Sequence, residues 1–233
     1  MRHIVKILIV LASIALTFSA DAKKKKADLI ERYPALAPYF CIPVEKTMQP
    51  DELGFIRRWT LMEPIAKPNP TNTVFVDSYL RENLDTGWNK GDFEVPKDGD
   101  LVTVDDKTLI WHQLDSKLFN VKLYRFAVGT ETGQYGLIFR AVTVIDVPED
   151  IENVRLAVGS NSASMWWIDG EEALILSGDR RMVMDDGASK RITLTKGRHV
   201  ISGAVINGPG MSDFCVRFVD EQGNPVNCYQ ILK

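Results

Sequence analysis

The sequence predicts an all-β domain, a sandwich or barrel of short strands, and three observations predict it. From Gly54 onward, apolar and other residues alternate in runs of strand length. Turn residues separate those runs at roughly 8 to 12-residue spacing, and one pair of runs brackets an Asp-Gly dipeptide. Neighbouring side chains in a strand face opposite sides of a sheet, so the alternation marks sheets with one face buried.

The N-terminus comes first. Met1 to Lys6 is basic, Ile7 to Phe18 apolar and Ser19 to Ala22 mostly small, the three-part plan of a secretory signal peptide with cleavage expected after Ala22. The apolar run is about a dozen residues long, whereas a spanning helix needs roughly 20. No other segment is suited to span a bilayer, and the first cysteine, Cys41, lies too late for a lipid anchor. The expected location is therefore secreted or periplasmic. Residues 23–49 mix lysines with Tyr33, Pro34, Pro38 and Pro43 and show no steady period. They read as a tail or linker that rests Tyr33, Tyr39 and Phe40 loosely on a domain spanning 50–233.

Within that domain, Phe55 to Leu61 makes a first strand, stopped by Pro64 and the turn-rich Lys67-Pro68-Asn69-Pro70. A short helical turn is expected at Asp77 to Leu84, then short strands at Leu101 to Val104 and Thr108 to Leu114. Gly136 to Ile145 is β-branched and aromatic, which suits a strand in the middle of a sheet. Asn153 to Gly159 alternates. Met165 to Ile168 and Ala173 to Leu176 straddle Asp169-Gly170, where both residues must accept positive φ, so a hairpin is expected. Strands at Arg191 to Leu194, His199 to Ile206 and Phe214 to Val219 complete a two-sheet antiparallel sandwich. Its expected core is Trp59, Phe139, Val142, Leu156, Val158, Val205 and Phe218.

Composition excludes some partners. With 28 basic and 31 acidic residues and a net charge of −3, the chain has no electrostatic footprint for nucleic acid. Its three cysteines allow one disulfide and one free thiol, or buried free thiols, with Cys215 and Cys228 flanking the turn-rich Asp220 to Pro225.

Reactive motifs are missing. There is no Gly-x-Ser-x-Gly elbow, phosphate-cradling glycine loop, His-Glu-x-x-His or Cys-x-x-Cys. His112 and His199 each sit inside an expected strand and read as structural. No catalytic residue, metal ligand or cofactor is therefore assigned. Trp166 and Trp167, adjacent in a strand, must face opposite sides. An outward Trp ring is a platform for the C–H face of a sugar, with Asn161, Arg180 and Asn207 on flanking loops to hydrogen-bond hydroxyls. Two alternatives stay open: the outward ring is covered by a loop or the tail, or Arg180 and Arg181 simply pair with Asp185 and Asp186.

The stretch Arg155-Leu-Ala-Val-Gly-Ser-Asn-Ser-Ala-Ser-Met-Trp-Trp-Ile-Asp-Gly170, with Ile192-Thr-Leu-Thr-Lys-Gly197 and Asn207 to Asp220, resembles the galactose-binding-domain-like jelly rolls appended to secreted polysaccharide-degrading enzymes. Phe55-Ile-Arg-Arg-Trp-Thr-Leu-Met-Glu-Pro64 is similar to their first strand, so the likeness runs from about Phe55 to Lys233. More narrowly, the chain resembles the non-catalytic domain found with acetylxylan esterases of gut Bacteroidales. That resemblance implies a carbohydrate-binding or accessory module for plant cell-wall polysaccharide of xylan type, with a polysaccharide or oligosaccharide as ligand and a catalytic protein as partner. Related sandwiches often carry two calcium-ligating acids just before the Trp strand; here Asn161 and Ser162 stand there, and calcium is not implied. Two other readings remain: a glycan-active esterase or hydrolase component, and a docking domain for a catalytic partner.

Overall fold

The computed structural model describes residues 28–233; the expected signal peptide, 1–22, lies outside them. The elements in order are α1 (Leu29–Arg32), β1 (Phe40–Cys41), β2 (Thr47–Met48), β3 (Arg58–Met62), β4 (Ile65–Ala66) and α2 (Asp77–Leu84). They continue with β5 (Leu101–Val104), β6 (Lys107–Ser116), α3 (Leu123–Gly129), β7 (Leu137–Val147), β8 (Ile151–Asn161), β9 (Ala163–Ile168) and β10 (Glu171–Leu176). Last come β11 (Gly187–Ala188), β12 (Ile192–Leu194), β13 (Gly197–Asn207), β14 (Asp213–Val219) and β15 (Gln230–Leu232).

The larger sheet runs β1-β6-β3-β7-β13-β9-β10, with the shorter β2, β4, β5 and β15 attached along it. The smaller sheet centres on β8, which pairs antiparallel with β11, β12 and β14. The two sheets bury facing apolar sides, as the two-layer sandwich requires. Trp59, Phe139, Ile145 and Val205 come from one side and Leu156, Val158, Phe214 and Phe218 from the other, all buried in one cluster. β7 lies between β3 and β13, the central place its β-branched composition predicts. Gly203 faces Trp166 across β13 and β9, where a Cβ would lie 2.3 Å from the indole. Only glycine leaves room for that ring.

Three expectations are corrected. Val142 is fully buried, but on the outer face of the larger sheet, in a separate cluster with Met62, Leu109 and Trp111. Period-2 alternation assigns sides relative to neighbours, and the central strand β7 is apolar on both. Next, the segment before residue 50 is not loosely attached: Leu36 and Phe40 are in the main core, and Phe40 and Cys41 pair with Ser116 and Asp115 of β6. Finally, α3 was not anticipated. Its Leu123, Phe126 and Ala127 recur at helical spacing and pack into the core, leaving Tyr124 and Arg125 on the opposite side.

Beyond the sandwich lies a partial third layer. Leu80 and Leu84 of α2 cover Met165, Trp167, Ala204 and Ile206 on the outer face of β9 and β13. Trp88 and Phe93 extend the cover toward Trp111. Further along that face Val95, Val102 and Val104 pack against the cluster of Met62, Leu109, Trp111 and Val142.

Candidate functional site

The Asp169-Gly170 hairpin forms as the sequence predicts, with φ of 52° and 81° at the two turn residues. The surface expected beside it does not. Trp166 and Trp167 do point to opposite sides, yet both are 0% exposed, so the outward platform ring is absent. Trp166 is clamped edge-on against Trp59 and Phe214, its Nε1 donating to Ser164 Oγ at 2.9 Å. Trp167 faces outward from the sandwich only to meet α2 and the edge of Trp88, ring centres 6.0 Å apart. Covering by a neighbouring segment, one of the alternatives left open, is what the structure has.

The other three expected residues are separated in role. Asn207 is 1% exposed; its Oδ1 accepts from Leu137 N at 2.9 Å and its Nδ2 donates to Gln134 O at 3.2 Å. Asn161 is half-buried, and its Nδ2 reaches the carbonyls of Arg180 at 3.1 Å and Met211 at 2.9 Å. Both amides are therefore brackets between loops, which leaves no free donor and acceptor fork for a ligand. Arg180 pairs with Asp186 at 2.6 Å and donates to Ser177 O at 3.1 Å, one of the surface pairings left open. Asp185 is taken by Arg217.

Among the described residues, the two histidines differ in how burial and partners set their protonation. Burial lowers the His112 pKa, only partly offset by Glu63 at 3.2 Å. His199 moves the other way: burial lowers its pKa, but Asp169 at 2.6 Å and the Thr195 carbonyl at 2.7 Å more than restore the proton. Neither is paired with a nucleophile. Cys41, Cys215 and Cys228 are all free thiols, and burial pushes Cys215 up to about 12. Among the described residues no group of three or more His, Cys, Asp or Glu side chains is arranged to hold a metal ion. No helix among them is long and apolar enough to cross a membrane.

An exposed aromatic surface does exist, elsewhere. On α3, Tyr124 and Arg125 face away from the core that Leu123 and Phe126 enter. The Arg125 guanidinium lies 5.2 Å from the Tyr39 ring centre and 5.7 Å from that of Tyr124. The Tyr124 and Tyr135 rings are 6.5 Å apart and tilted by 35°. Ring, guanidinium, ring and ring thus form a strip, with Tyr135 53% exposed and Tyr39 and Tyr124 half-buried.

Backbone contacts fix it. Tyr124 N donates to Ser212 O at 2.8 Å and Tyr39 N to Leu36 O at 2.9 Å. Asn207 pins the chain on both sides of Tyr135, through Gln134 and Leu137. None of the strip's four residues was among the site residues singled out from the sequence. The Leu123, Phe126, Ala127 spacing was the signal that could have exposed Tyr124 and Arg125; nothing in the sequence marks Tyr135 as their neighbour.

The class that fold and surface define is a β-sandwich domain with a rigid tyrosine and arginine strip at its surface. No family model matches the chain, and no curated protein does. Among solved structures, the chain is similar to a PA14 sugar-binding domain from an RTX adhesin, with TM-score 0.39 and 11% identity over 75% of this chain and 96% of that one. It is also similar to the PA14 domain of the MpAFP antifreeze protein, with TM-score 0.41 and 10% identity over 81% and 91% of the two chains. A third similarity is to the Ruminococcus gnavus β-glucuronidase, with TM-score 0.34 and 13% identity over 76% of this chain and 30% of that one.

Proposed function

We propose that the protein is a non-catalytic carbohydrate-binding module and that Tyr39, Arg125, Tyr124 and Tyr135 form its glycan-contacting surface. One observation carries the reading: three tyrosine rings held at the surface with a guanidinium wedged between two of them. A pyranose offers an apolar C–H face and a rim of hydroxyls. Tyrosine meets both, because the ring covers the face while the phenol hydrogen-bonds the rim. Arg125 adds planar donors already held by the rings, so little freedom is lost on binding.

The finer parts of the proposal rest on the sequence resemblance. They are a plant cell-wall polysaccharide of xylan type as ligand and service beside an acetylxylan esterase or similar enzyme; export rests separately on the signal-peptide plan of residues 1–22. Isothermal titration with xylo-oligosaccharides is the test. A Tyr124→Ala, Tyr135→Ala double variant should bind at least about tenfold more weakly, as expected for losing two stacked rings. Unchanged affinity in that variant would remove the strip as the site, and absence of any glycan binding would remove the function.

A further inference from the structure

A second surface lies away from the tyrosine strip. On the larger sheet's outer face, a groove of about 550 Å³ runs over β3, β7 and β13 beneath the segment that includes Val95 and Lys97. Its floor includes Val142, Val144 and Val200; Val144 and Val200 are cross-strand partners, half-buried where an ordinary solvent-facing strand would carry polar residues. Concave apolar floor of this kind is the usual lining of a small-molecule site.

The charge around the groove is unbalanced. Arg58 and Asp115 cancel each other in a two-bonded pair at 2.7 and 2.9 Å. Asp98 accepts the Gln113 backbone N–H at 2.9 Å, which orients its carboxylate without cancelling the charge; Lys97, Arg198 and Lys233 outnumber it in the lining. Lys97 and Arg198 are exposed at the rim and have no ion pair among the described residues, although Asp146 sits across from Arg198 in register. No aromatic ring lines the floor, so a sugar face has nothing to stack on.

We propose that this groove is a separate binding site for a small carboxylate with an apolar body, which lies on the valines while its anionic end meets Arg198 and Lys97. An apolar body laid on the valines removes apolar area from water. The guanidinium supplies a charge-assisted fork for the carboxylate. The site does not depend on the glycan reading, since its residues and those of the strip do not overlap.

The test uses two fluorescent probes with similar apolar bodies: 1-anilinonaphthalene-8-sulfonate, which is anionic, and N-phenyl-1-naphthylamine, which is neutral. The folded protein should bind one anionic probe saturably and the neutral probe about tenfold more weakly. A Lys97→Glu, Arg198→Glu variant should abolish that preference while leaving the neutral probe unaffected. Val200→Asp should weaken both; because it risks misfolding, it is read only if its thermal melt remains cooperative, and the rim variant stands without it. Tyr124→Ala should change neither. Equal binding of the two probes, an unchanged preference in the rim variant, loss with Tyr124→Ala, or no saturable binding would each overturn the proposal.

Discussion

Two sets of aromatic side chains in this domain met opposite fates. Trp166 and Trp167 sit side by side in β9, one strand in from the edge of the larger sheet, and are both fully buried; Tyr124 and Tyr135 sit on a short helix and a loop and remain at the surface. Strand alternation correctly sends the two tryptophans to opposite faces, yet it says nothing of what lies above a face. α2 settles that for Trp167. A surface aromatic is therefore decided by the third layer of a sandwich, and that layer is built from its least regular segments.

The largest effect expected follows from the tryptophans. Trp166→Ala and Trp167→Ala should each destabilise the protein by about 3 kcal/mol or more, the usual cost of truncating a buried Trp. Denaturant unfolding measures it. If Trp167→Ala unfolds like wild type, α2 does not seal that ring, and the contrast with the tyrosines collapses.

Asn207 comes next and links the two regions. It lies at the end of β13, beside the sheet that holds Trp166, and it pins the loop that carries Tyr135. Asn207→Ala leaves a buried N–H and a carbonyl without partners, at about 1–3 kcal/mol. It should also weaken glycan binding without touching a ring. Loss of stability with binding intact would show that Tyr135 needs no bracket.

Much of the fold was legible because its signals are local. The Asp169-Gly170 turn needs positive φ at two positions, and the strands β7 to β10 and β12 to β14 carry their patterns in the sequence, as does the short helix at Asp77 to Leu84. The residues of the tyrosine strip were not legible. α3 starts at Lys122 without a side-chain cap, so its N-terminus has no signature. Leu36 and Phe40 enter the core as single side chains from a three-residue 3-10 turn and a two-residue strand, elements too short to leave a period to read. Tyr39, Tyr124 and Tyr135 converge from a loop, a short helix and a second loop. Their meeting is a property of tertiary packing alone.

The two histidines offer a finer contrast of burial against partners. His199 has a raised folded pKa, so its contribution is fully present below about pH 6.5 and is lost as pH rises through the folded value. His112 has a lowered one, so its contribution holds above about pH 6.5 and fades as pH falls below it. Thermal melts of His199→Gln should accordingly lie further below wild type at pH 5 than at pH 8, and those of His112→Gln further below it at pH 8. A matching pH trend in both variants would show that the Asp169 partner does not outweigh burial at His199.

The smallest stability effect belongs to the residue with a large proposed role in binding. Tyr135 is 53% exposed, and its ring touches Tyr124 at a tilt without entering the core cluster. Truncating it removes little area that folding had taken from water, so Tyr135→Ala should stay within about 0.5 kcal/mol of wild type. The same change deletes one ring of the strip, and xylo-oligosaccharide affinity should fall about fivefold to tenfold. Trp167→Ala is the mirror case, with large loss of stability and no direct ligand contact. Measuring both variants by unfolding and by titration places each aromatic on two axes at once. If Tyr135→Ala lost stability like a core residue, or bound glycan as tightly as wild type, exposure would have misidentified it, and the strip would be packing rather than a platform.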